Sequence, residues 1–327
     1  MHRRIPILVL QASAALAVAG MACTPAAAQT YPAKAVRFVV PFAAGGGNDF
    51  LARDLSTQLQ ARLGQSFVVE NRAGAGGLIG SDIVARAPAD GYTLLMAANS
   101  AAIVDAASKA PPFRLARDLA GVAMVANIPM ILVVANDVPA RSVPELIDLL
   151  KRNPGKLNYA SAGPGTIMHM TAEVFSAATG TSMTHIPFKG ASQMVPEVIA
   201  GRVQVLFGAA NSLIPFIKSG QVRALAVAGG SRWSGMPDLP TIAESGVPGF
   251  DLNIWYGVLA PKATPRPVID KLNREINAYL ATPAARQVLA AQGMEPMIGT
   301  PKQFDELVET DVERWTAVAR KIGFSME

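Results

Sequence analysis

The feature that most constrains the fold is an alternation of short β-rich runs with helical runs along the chain. Residues 36–41 are apolar and β-rich, and a helical pattern follows over residues 48–63. Four leucines share one face of that helix: Leu51, Leu55, Leu59 and Leu63. Further strand, helix and strand patterns follow at 66–70, 78–87 and 93–97. This order predicts an α/β fold, in which amphipathic helices cover parallel sheets.

A second α/β series begins with a strand pattern at 131–134 and ends with another at 224–228. The helices and strands predicted between them cover residues 143–152, 157–160, 166–178, 191–200 and 203–207. A connection rich in glycine and proline, 231–250, then leads to a strand at 252–260. The helix over 166–178 is expected to bury one stripe of side chains, namely Ile167, Met170, Val174 and Ala178.

Two further helices, 267–280 and 301–322, are expected to close the chain. The order of elements fits two α/β lobes that are joined near residue 132 and again near residue 252. The predicted domains are a signal peptide (1–28), lobe 1 (29–132 and 253–327) and lobe 2 (133–252). Because the chain crosses twice between the lobes, a ligand cleft is expected between them.

The amino terminus has the three parts of a secretory signal peptide. A basic head, His2 to Arg4, precedes an apolar run from Ile5 to about Gly20, and small residues lead to the expected cleavage site after Ala28. The apolar run is shorter than the roughly 20 residues of a membrane-spanning helix. Export to the periplasm with removal of residues 1–28 is therefore predicted, and a lipid-modified amino terminus at Cys23 stays open as the alternative.

Charge and cysteine content narrow the function. Without the two arginines of the signal, 27 of the 29 basic residues remain beside 24 acidic ones, and this weak positive balance suits a small anion, with no nucleic acid expected as a partner. The one cysteine, Cys23, lies in the signal, and the mature chain keeps only His169 and His185 as histidines. No disulfide, no metal site and no other cofactor is therefore predicted.

The first candidate binding loop, 41–49, reads Pro-Phe-Ala-Ala-Gly-Gly-Gly-Asn-Asp and joins a strand to a helix. Glycines let the backbone come close to a ligand, and the unpaired amides at a helix amino terminus attract anions. Asn48 or Asp49 is expected to cap the helix. An ordinary strand-to-helix turn is the alternative. The predicted ligand-binding residues of this loop are Phe42, Ala43, Gly45, Gly46 and Asp49.

The second candidate binding loop, 158–166, again lies between a strand and a helix. Its hydroxyl groups and the amides that follow Gly163 can donate to an anion. It is not a nucleophile elbow, because Tyr159 stands where that motif needs its first glycine. The predicted ligand-binding residues here are Ser161, Gly163, Gly165, Thr166 and, near the start of the helix, His169.

The two loops lie in different predicted lobes, and each follows the carboxyl end of a strand, where open α/β sheets bind ligands. If the lobes face each other, two anion-binding ends converge on one carboxylate. A third glycine-rich stretch, 71–80, lacks the third glycine of a dinucleotide motif and is predicted to form a loop at the cleft rim. Asn99 and Phe188 are added as predicted ligand contacts.

Catalytic groups are scarce, so no enzyme activity is predicted. Only Ser161 with His169 offers a nucleophile and a base, and no carboxylate completes a triad with them. His185 is expected to be structural or to lie at the rim, and Trp255 with Tyr256 either packs at the second crossing or lines the cleft. Two alternatives stay open: an exported hydrolase or transferase on the same fold, and a scaffold or adhesion module with an empty cleft.

Several segments together resemble one family, the Bug receptors, which are the substrate-binding proteins of tripartite tricarboxylate transporters. The resemblance extends in order over essentially the whole mature chain. The segments that carry it are Tyr31–Lys34, Arg37–Phe42, Gly45–Asp49, Val69–Arg72, Gly74–Gly77, Asp90–Leu94, Leu157–Ser161, Phe188–Gly190, Arg223–Val227 and Leu239–Gly246.

This resemblance implies a type II periplasmic binding protein fold, with two α/β lobes joined by two crossing strands. It implies capture of a small mono- or dicarboxylate, aliphatic or aromatic, by loops 42–49 and 161–166, with ordered water bridging the ligand. It also implies delivery to membrane subunits of a tripartite tricarboxylate transporter, with a membrane sensor kinase as the alternative partner. The receptor is expected to act as a monomer in the periplasm.

Three positions depart from the common pattern of the family. Gly208 and Gln204 stand where many relatives carry aspartate, and Ala44 replaces a usual proline in the first loop. Gly208 is kept among the predicted ligand-binding positions. An aspartate there would recognise an amino or hydroxyl group, so an amino-acid ligand is not expected.

Overall fold

In the computed structural model, which describes residues 31–188 and 191–326, ten strands form one mixed sheet. The strands are β1 (Val36–Val40), β2 (Phe67–Asn71), β3 (Thr93–Ala98), β4 (Leu119–Ala135), β5 (Asn158–Ser161), β6 (Thr184–Pro187), β7 (Val205–Ala209), β8 (Val222–Val227), β9 (Asn253–Pro261) and β10 (Glu295–Pro296). Their order is β2-β1-β3-β9-β4-β7-β5-β6, and β8 and β10 also pair with β4.

The same residues contain eleven α-helices, which alternate with the strands as the sequence predicts. The helices are α1 (Gly47–Leu63), α2 (Leu78–Ala85), α3 (Ser100–Ala107), α4 (Leu115–Asp118), α5 (Val143–Arg152), α6 (Ile167–Thr179), α7 (Ala191–Ile199), α8 (Ala210–Lys218), α9 (Arg266–Leu280), α10 (Pro283–Ala291) and α11 (Pro301–Ile322). A short 3₁₀ turn, Ala75–Gly77, precedes α2.

The long strand β4 belongs to both parts of the sheet. Up to Pro129 it pairs antiparallel with β9, and from Met130 onward it pairs antiparallel with β7 and β8. Strands β1 to β3 therefore connect to β4 through β9, while β5 and β6 connect to it through β7. The chain returns to the first group of strands at Leu252, whose amide donates to the carbonyl of Ala228 over 2.8 Å.

The chain passes between the two groups of strands within β4, at Pro129 and Met130, and again at Leu252. Both passages are close to the predicted crossings near residues 132 and 252. The whole chain from Lys34 onward nevertheless packs as one compact unit. The lobe boundaries therefore stay predictions, and only the sharing of β4 between two groups of strands is observed.

The amphipathic pattern of α1 is confirmed, because Leu51, Leu55 and Leu59 are at most 1% exposed. Helices α5 and α11 begin and end at the predicted residues. In α11 the side chains of Thr300 and Gln303 form a capping box, which pairs two amides that the helix itself leaves without an acceptor.

Three helices close the chain, so the prediction of two was wrong. The additional helix, α10, begins after Thr282, whose hydroxyl accepts from the Ala285 amide at 3.1 Å. Pro283 takes its first position, where a missing N–H costs nothing. Helices α3 and α8 were also not predicted, because they begin so close to the ends of β3 and β7 that their apolar residues merge with the strand pattern.

The buried face of α6 also differs from the prediction. Ala178 is exposed and Val174 is half-buried, whereas Thr171 and Phe175 are fully buried. The ring of Phe175 packs 5.4 Å from that of Phe207 in β7, so the helix turns this face toward the sheet.

In the part of the chain that the structure describes, no helix has both the length and the apolar character that a membrane crossing needs. The predicted signal peptide and Cys23 lie outside the described residues. Lys189 and Gly190, which end one of the segments that carry the family resemblance, lie outside them as well.

Candidate functional site

The first loop, residues 41–46, connects β1 to α1 and exposes its residues Ala43 to Gly46. Helix α1 begins at Gly47 after Gly46, and no side chain caps it. The expected cap by Asn48 or Asp49 was therefore wrong, since both residues lie inside the first turn. The side chain of Asn48 instead donates to the carbonyl of Met96 over 2.9 Å.

Asp49 is buried beneath this loop and holds it in shape. One carboxylate oxygen accepts from the Gly45 amide at 3.0 Å and from Nε of Arg53 at 3.0 Å, and the other accepts from Nδ2 of Asn71 at 3.0 Å. Burial raises the pKa of Asp49, but the hydrogen bonds from Arg53, Gly45 and Asn71 outweigh it, so the pKa is lowered overall. The carboxylate is thus engaged within the loop, while the backbone of Ala43 to Gly46 stays exposed.

A third loop, residues 74–77, lies in space between the first loop and the second. A Cβ atom on Gly77 would lie 3.2 Å from Cζ of Phe42, so this loop packs on the half-buried Phe42 ring. A Cβ atom on Gly76 would lie 3.8 Å from the carbonyl oxygen of Pro164 in the second loop. The structure therefore places the three glycine-rich stretches next to one another.

The second loop, residues 161–166, connects β5 to α6 and is held mainly by its own polar groups. Oγ of the buried Ser161 accepts from the Gly163 amide at 3.0 Å. The hydroxyl of Thr166 donates to the carbonyl of Gly163 over 2.7 Å and accepts from the amide of His169, which makes Thr166 the cap of α6. Gly163 and Gly165 have φ values of 120° and 74°, which only glycine adopts readily.

Two histidines lie beneath the second loop. Nδ1 of His169 accepts from the Gly165 amide at 3.3 Å, and Nε2 of His185 lies 2.6 Å from Oγ of Ser161. The two imidazole rings stack with their centroids 4.2 Å apart. Burial, assisted by the neighbouring His185, lowers the pKa of His169 to about 4. Burial also lowers the pKa of His185, although the nearby Glu173 carboxylate opposes this shift.

Ser161 thus pairs with His185, and the proposed pairing with His169 was wrong. The reason is that Ser161 and His185 lie on the adjacent strands β5 and β6, whose register places Tyr159 opposite His185. His169 lies on the facing helix and contacts the loop at Gly165. Sequence reasoning placed His185 only as a structural or rim residue, and the strand pairing was the missing signal.

The end of the chain also contacts the second loop. The ring of Phe324 lies edge-on to His169 at 5.0 Å, and Sδ of Met326 lies 2.7 Å from where a Cβ atom of Gly165 would stand. The Met326 amide donates to the carbonyl of Ala107 at the end of α3 over 2.9 Å. Sequence reasoning missed this segment, because nothing local marks two apolar residues after the last helix as contacts of a distant loop.

Asn99 lies elsewhere, on the wall of a cavity of about 250 Å³ beside α11. Its Nδ2 donates to the carbonyl of Asn253 over 2.7 Å, and its buried Oδ1 has no partner among the described residues. Trp255 lines the same cavity and donates from Nε1 to Asp311 over 2.9 Å. None of the residues that line this cavity belongs to the first or second loop.

The remaining predicted residues are Phe188 and Gly208. Phe188 is half-buried and donates its amide to the carbonyl of Ser161 over 2.8 Å, so it follows the second loop closely. Gly208 lies in β7, and a Cβ atom there would lie 2.8 Å from Cδ1 of Leu213. This position therefore has no room for a side chain unless Leu213 moves. Among the described residues no cluster of His, Cys, Asp and Glu could hold a metal ion.

The chain is similar over most of its length to known proteins. The family model described as the tripartite tricarboxylate transporter family receptor matches residues 51–324. Protein BugT of Bordetella pertussis is 38% identical over 314 residues, which cover 95% of this chain and 96% of BugT. The solved structure of R. palustris Rpa4515 with adipate has a TM-score of 0.84 at 34% identity and covers 90% of this chain and 99% of that one. MatC from Rhodopseudomonas palustris with bound malate has a TM-score of 0.80 at 28% identity and covers 88% of this chain and 99% of that one.

Proposed function

The chain belongs to the tripartite tricarboxylate transporter receptor family of periplasmic solute-binding proteins, and we propose that its own ligand is a small mono- or dicarboxylate, aliphatic or aromatic. Its α/β fold is that of the periplasmic binding proteins, as the resemblance implied. The observation that carries the proposal is the junction of two glycine-rich strand-to-helix loops through a third loop. The related Rpa4515 and MatC structures, which hold adipate and malate, support it.

The proposed site uses the backbone of both loops as the anion-binding surface. The first amides of α1 and α6 have no acceptor within their own helices and attract negative charge. Charge-assisted hydrogen bonds contribute roughly 1.5 to 3 kcal/mol each, and micromolar affinity corresponds to roughly 8 kcal/mol. Several amides on the two loops would reach that range together. The proposed site residues are Phe42, Ala43, Gly45, Gly46, Asp49, Ser161, Gly163, Gly165, Thr166, His169, Phe188 and Gly208. Asn99, which lines the separate cavity beside α11, stays a prediction.

Within this set, the contacts observed in the structure separate the residues that hold the loops from the residues that are exposed. Asp49, Ser161 and His169 accept the amides of Gly45, Gly163 and Gly165, so their role in the proposal is to hold the loop backbone in shape. Ala43, Gly45 and Gly46 are exposed. Because the Gly45 amide donates to Asp49, we assign direct contact with the carboxylate to the backbone of Ala43 and Gly46. Gly208 offers no carboxylate to pair with an amino group, which supports a ligand without an amino group at that point.

We further propose that capture proceeds by closure of two lobes, 29–132 with 253–327 and 133–252, about the passages at β4 and Leu252. The bound carboxylate would then be delivered to membrane subunits of a tripartite tricarboxylate transporter, in line with the family. The mature receptor would act as a monomer in the periplasm after removal of residues 1–28.

A purely binding role, without catalysis, is part of the same proposal. Ser161 and His185 form a serine–histidine pair, but Ser161 is fully buried and its hydroxyl is bonded to Gly163 as well. A substrate cannot reach a nucleophile in that position without opening the loop. Absence of esterase activity toward small chromogenic esters, under conditions where a carboxylate binds, is the expected result.

The test is a thermal-shift screen of the mature protein with adipate, malate, benzoate and other carboxylates, followed by calorimetry on those that raise the melting temperature. Glucose and a cationic peptide serve as the neutral and positively charged controls. We expect at least one carboxylate to stabilise the protein. Stabilisation by the controls alone would contradict a carboxylate ligand.

A further inference from the structure

A column of polar side chains, of which Tyr159 and His169 are buried and His185 and Glu173 are half-buried, packs against the second loop. Tyr159 of β5 and His185 of β6 are register partners, and their rings stack 4.9 Å apart. His169 of α6 stacks on His185 with the ring centroids 4.2 Å apart, and its ring lies 6.3 Å from that of Tyr159. Glu173, one turn further along α6, accepts from the Tyr159 hydroxyl at 2.5 Å. The column therefore joins two strands and a helix around the loop that connects them.

Only the two histidines of this column reach the loop. His185 shares a hydrogen bond of 2.6 Å with Oγ of Ser161, and that oxygen accepts the Gly163 amide. His169 accepts the Gly165 amide directly on Nδ1. Each imidazole thus fixes the direction of one glycine amide, one of them through the serine hydroxyl and one without an intermediary.

We propose that His169 and His185 are positioning residues of the ligand site, and that the second loop keeps its binding geometry only while both imidazoles are neutral. This inference rests on the proposed function, because it concerns the loop to which carboxylate binding is assigned. It goes beyond that function in making ligand affinity depend on two side chains that need not touch the ligand.

The requirement for neutral rings follows from the contacts. Nδ1 of His169 can accept the Gly165 amide only when it carries no proton. His169 is buried and His185 half-buried, and a second positive charge 4.2 Å from the first would be costly. Burial also lowers the pKa of His185, which favours its neutral form. Among residues 31–188 and 191–326, the titratable groups that face the pair are Tyr159 on β5 and Glu173 on α6, while Phe324 contributes an apolar ring.

Paired substitutions separate hydrogen bonding from packing at each histidine. His169→Phe keeps an aromatic ring but removes the acceptor, whereas His169→Asn keeps an acceptor near the position of Nδ1. His185→Phe and His185→Gln make the same distinction for Nε2. Glu173→Gln is the matched control, because this residue belongs to the column but does not contact the loop.

Adipate binding by calorimetry is the first measurement, with another carboxylate from the screen as the probe if adipate does not bind. We expect His169→Phe and His185→Phe to weaken binding by about tenfold or more. We expect His169→Asn and His185→Gln to restore most of the affinity, and Glu173→Gln to stay within about twofold of the wild type. Equal affinity in the wild type and both phenylalanine variants would overturn the proposal.

The pH profile supplies a measurement that a merely structural role would not change. Protonation of His169 favours an opened loop, so the affinity should fall as the pH drops from the ordinary histidine value of 6.5 toward about 4. Measurements from about pH 7.5 to about pH 5 keep most carboxylate ligands ionised. His169→Asn should flatten this profile, and an unchanged slope in that variant would contradict the proposal.

A measurement without ligand separates this inference from the proposed function. Amide hydrogen exchange of Gly163 and Gly165 should become at least about tenfold faster in the phenylalanine variants, with α1 unchanged. If no carboxylate binds but the exchange rates change as expected, the proposed function fails and the positioning role stands. If a carboxylate binds and the exchange rates do not change, the positioning role fails alone.

Discussion

The first and second loops share one design, a glycine-rich turn between a strand and a helix amino terminus, but different chemistry holds them. The first loop is exposed and is held by the carboxylate of Asp49, which pairs with Arg53 and with the Gly45 amide. The second loop packs against neutral histidines and the end of the chain. The first loop thus depends on an ionised carboxylate, and the second depends on uncharged imidazole rings.

This difference teaches that two loops of the same design can lose stability over different ranges of pH. The pKa of Asp49 is lowered, so its contribution persists above the ordinary value of 3.8 and is lost as the pH falls through its own value. The pKa of His169 is also lowered, and this favours the neutral form of its ring. The stability that the neutral ring contributes is therefore lost as the pH falls from 6.5 to about 4. Mild acid should therefore loosen the second loop first.

The largest effect is expected for Asp49→Ala. This change leaves the Gly45 amide, Asn71 and Arg53 without their shared acceptor, so the free energy of unfolding should fall by about 2 kcal/mol. Carboxylate affinity should fall at least about tenfold, or 1.4 kcal/mol. Chemical denaturation and calorimetry measure the two quantities.

Thr166→Val is the corresponding change in the second loop, and it removes the cap of α6 at a cost of about 1 kcal/mol. A larger loss in Thr166→Val than in Asp49→Ala would reverse the proposed contrast between the two loops. Affinity that is unchanged in both variants would mean that neither loop holds the ligand.

Glycine substitutions should distinguish the loops by packing. Gly165 has a φ of 74°, and its new Cβ would lie 2.7 Å from Sδ of Met326, so Gly165→Ala should cost about 1 to 2 kcal/mol of unfolding free energy. Gly46 has an ordinary φ of −90°, and its nearest neighbour would be Ala43 O at 3.9 Å. Gly46→Ala should therefore stay within about 0.5 kcal/mol of the wild type. Thermal unfolding of both variants without ligand tests this, and equal losses would show that the loops are packed alike.

The response to mild acid is the next test. Between about pH 7 and about pH 5, exchange of the Gly165 amide should accelerate beyond the intrinsic pH effect, while that of Gly45 should not. The reason is that His169 begins to favour an open loop in this range, whereas Asp49 remains ionised. Acceleration at Gly45 alone would contradict the assignment of charges to the two loops.

The smallest effect is expected for Arg53→Gln. The side chain of Arg53 is 55% exposed, so water screens its ion pair with Asp49. Ion pairs of this exposed kind contribute little to stability. Unfolding free energies at low and high salt should differ less in the variant than in the wild type. A loss as large as that of Asp49→Ala would show that Arg53 is the main anchor of the first loop.

Much of the fold could be predicted because the relevant signals are local. The leucine stripe of α1 and the bounds of α5 and α11 follow from side-chain periodicity and turn residues within one segment. Helices α3 and α8 could not be separated from the strands before them, since apolar residues run through both. The buried face of α6 was misplaced because the choice depends on Phe207, which lies in a distant strand.

The candidate site divides in the same way. The two loops and most of their residues were recognisable from glycine content and position after a strand. The partners that hold them were not, because each is distant in the chain. Asn71 lies 22 residues from Asp49, His185 lies 24 residues from Ser161, and Met326 reaches Gly165 from the far end.

The sequence by itself determined the α/β class, the membership of a receptor family and the place of both loops. It could do so because the periodicity of buried residues and the glycine-rich turns are visible within short segments of the chain. Only the tertiary structure decided that a charged carboxylate holds one loop and neutral histidines hold the other. The physical reason is that hydrogen bonds and burial, which set the protonation of Asp49 and His169, arise only where strand pairing and helix packing bring distant residues together.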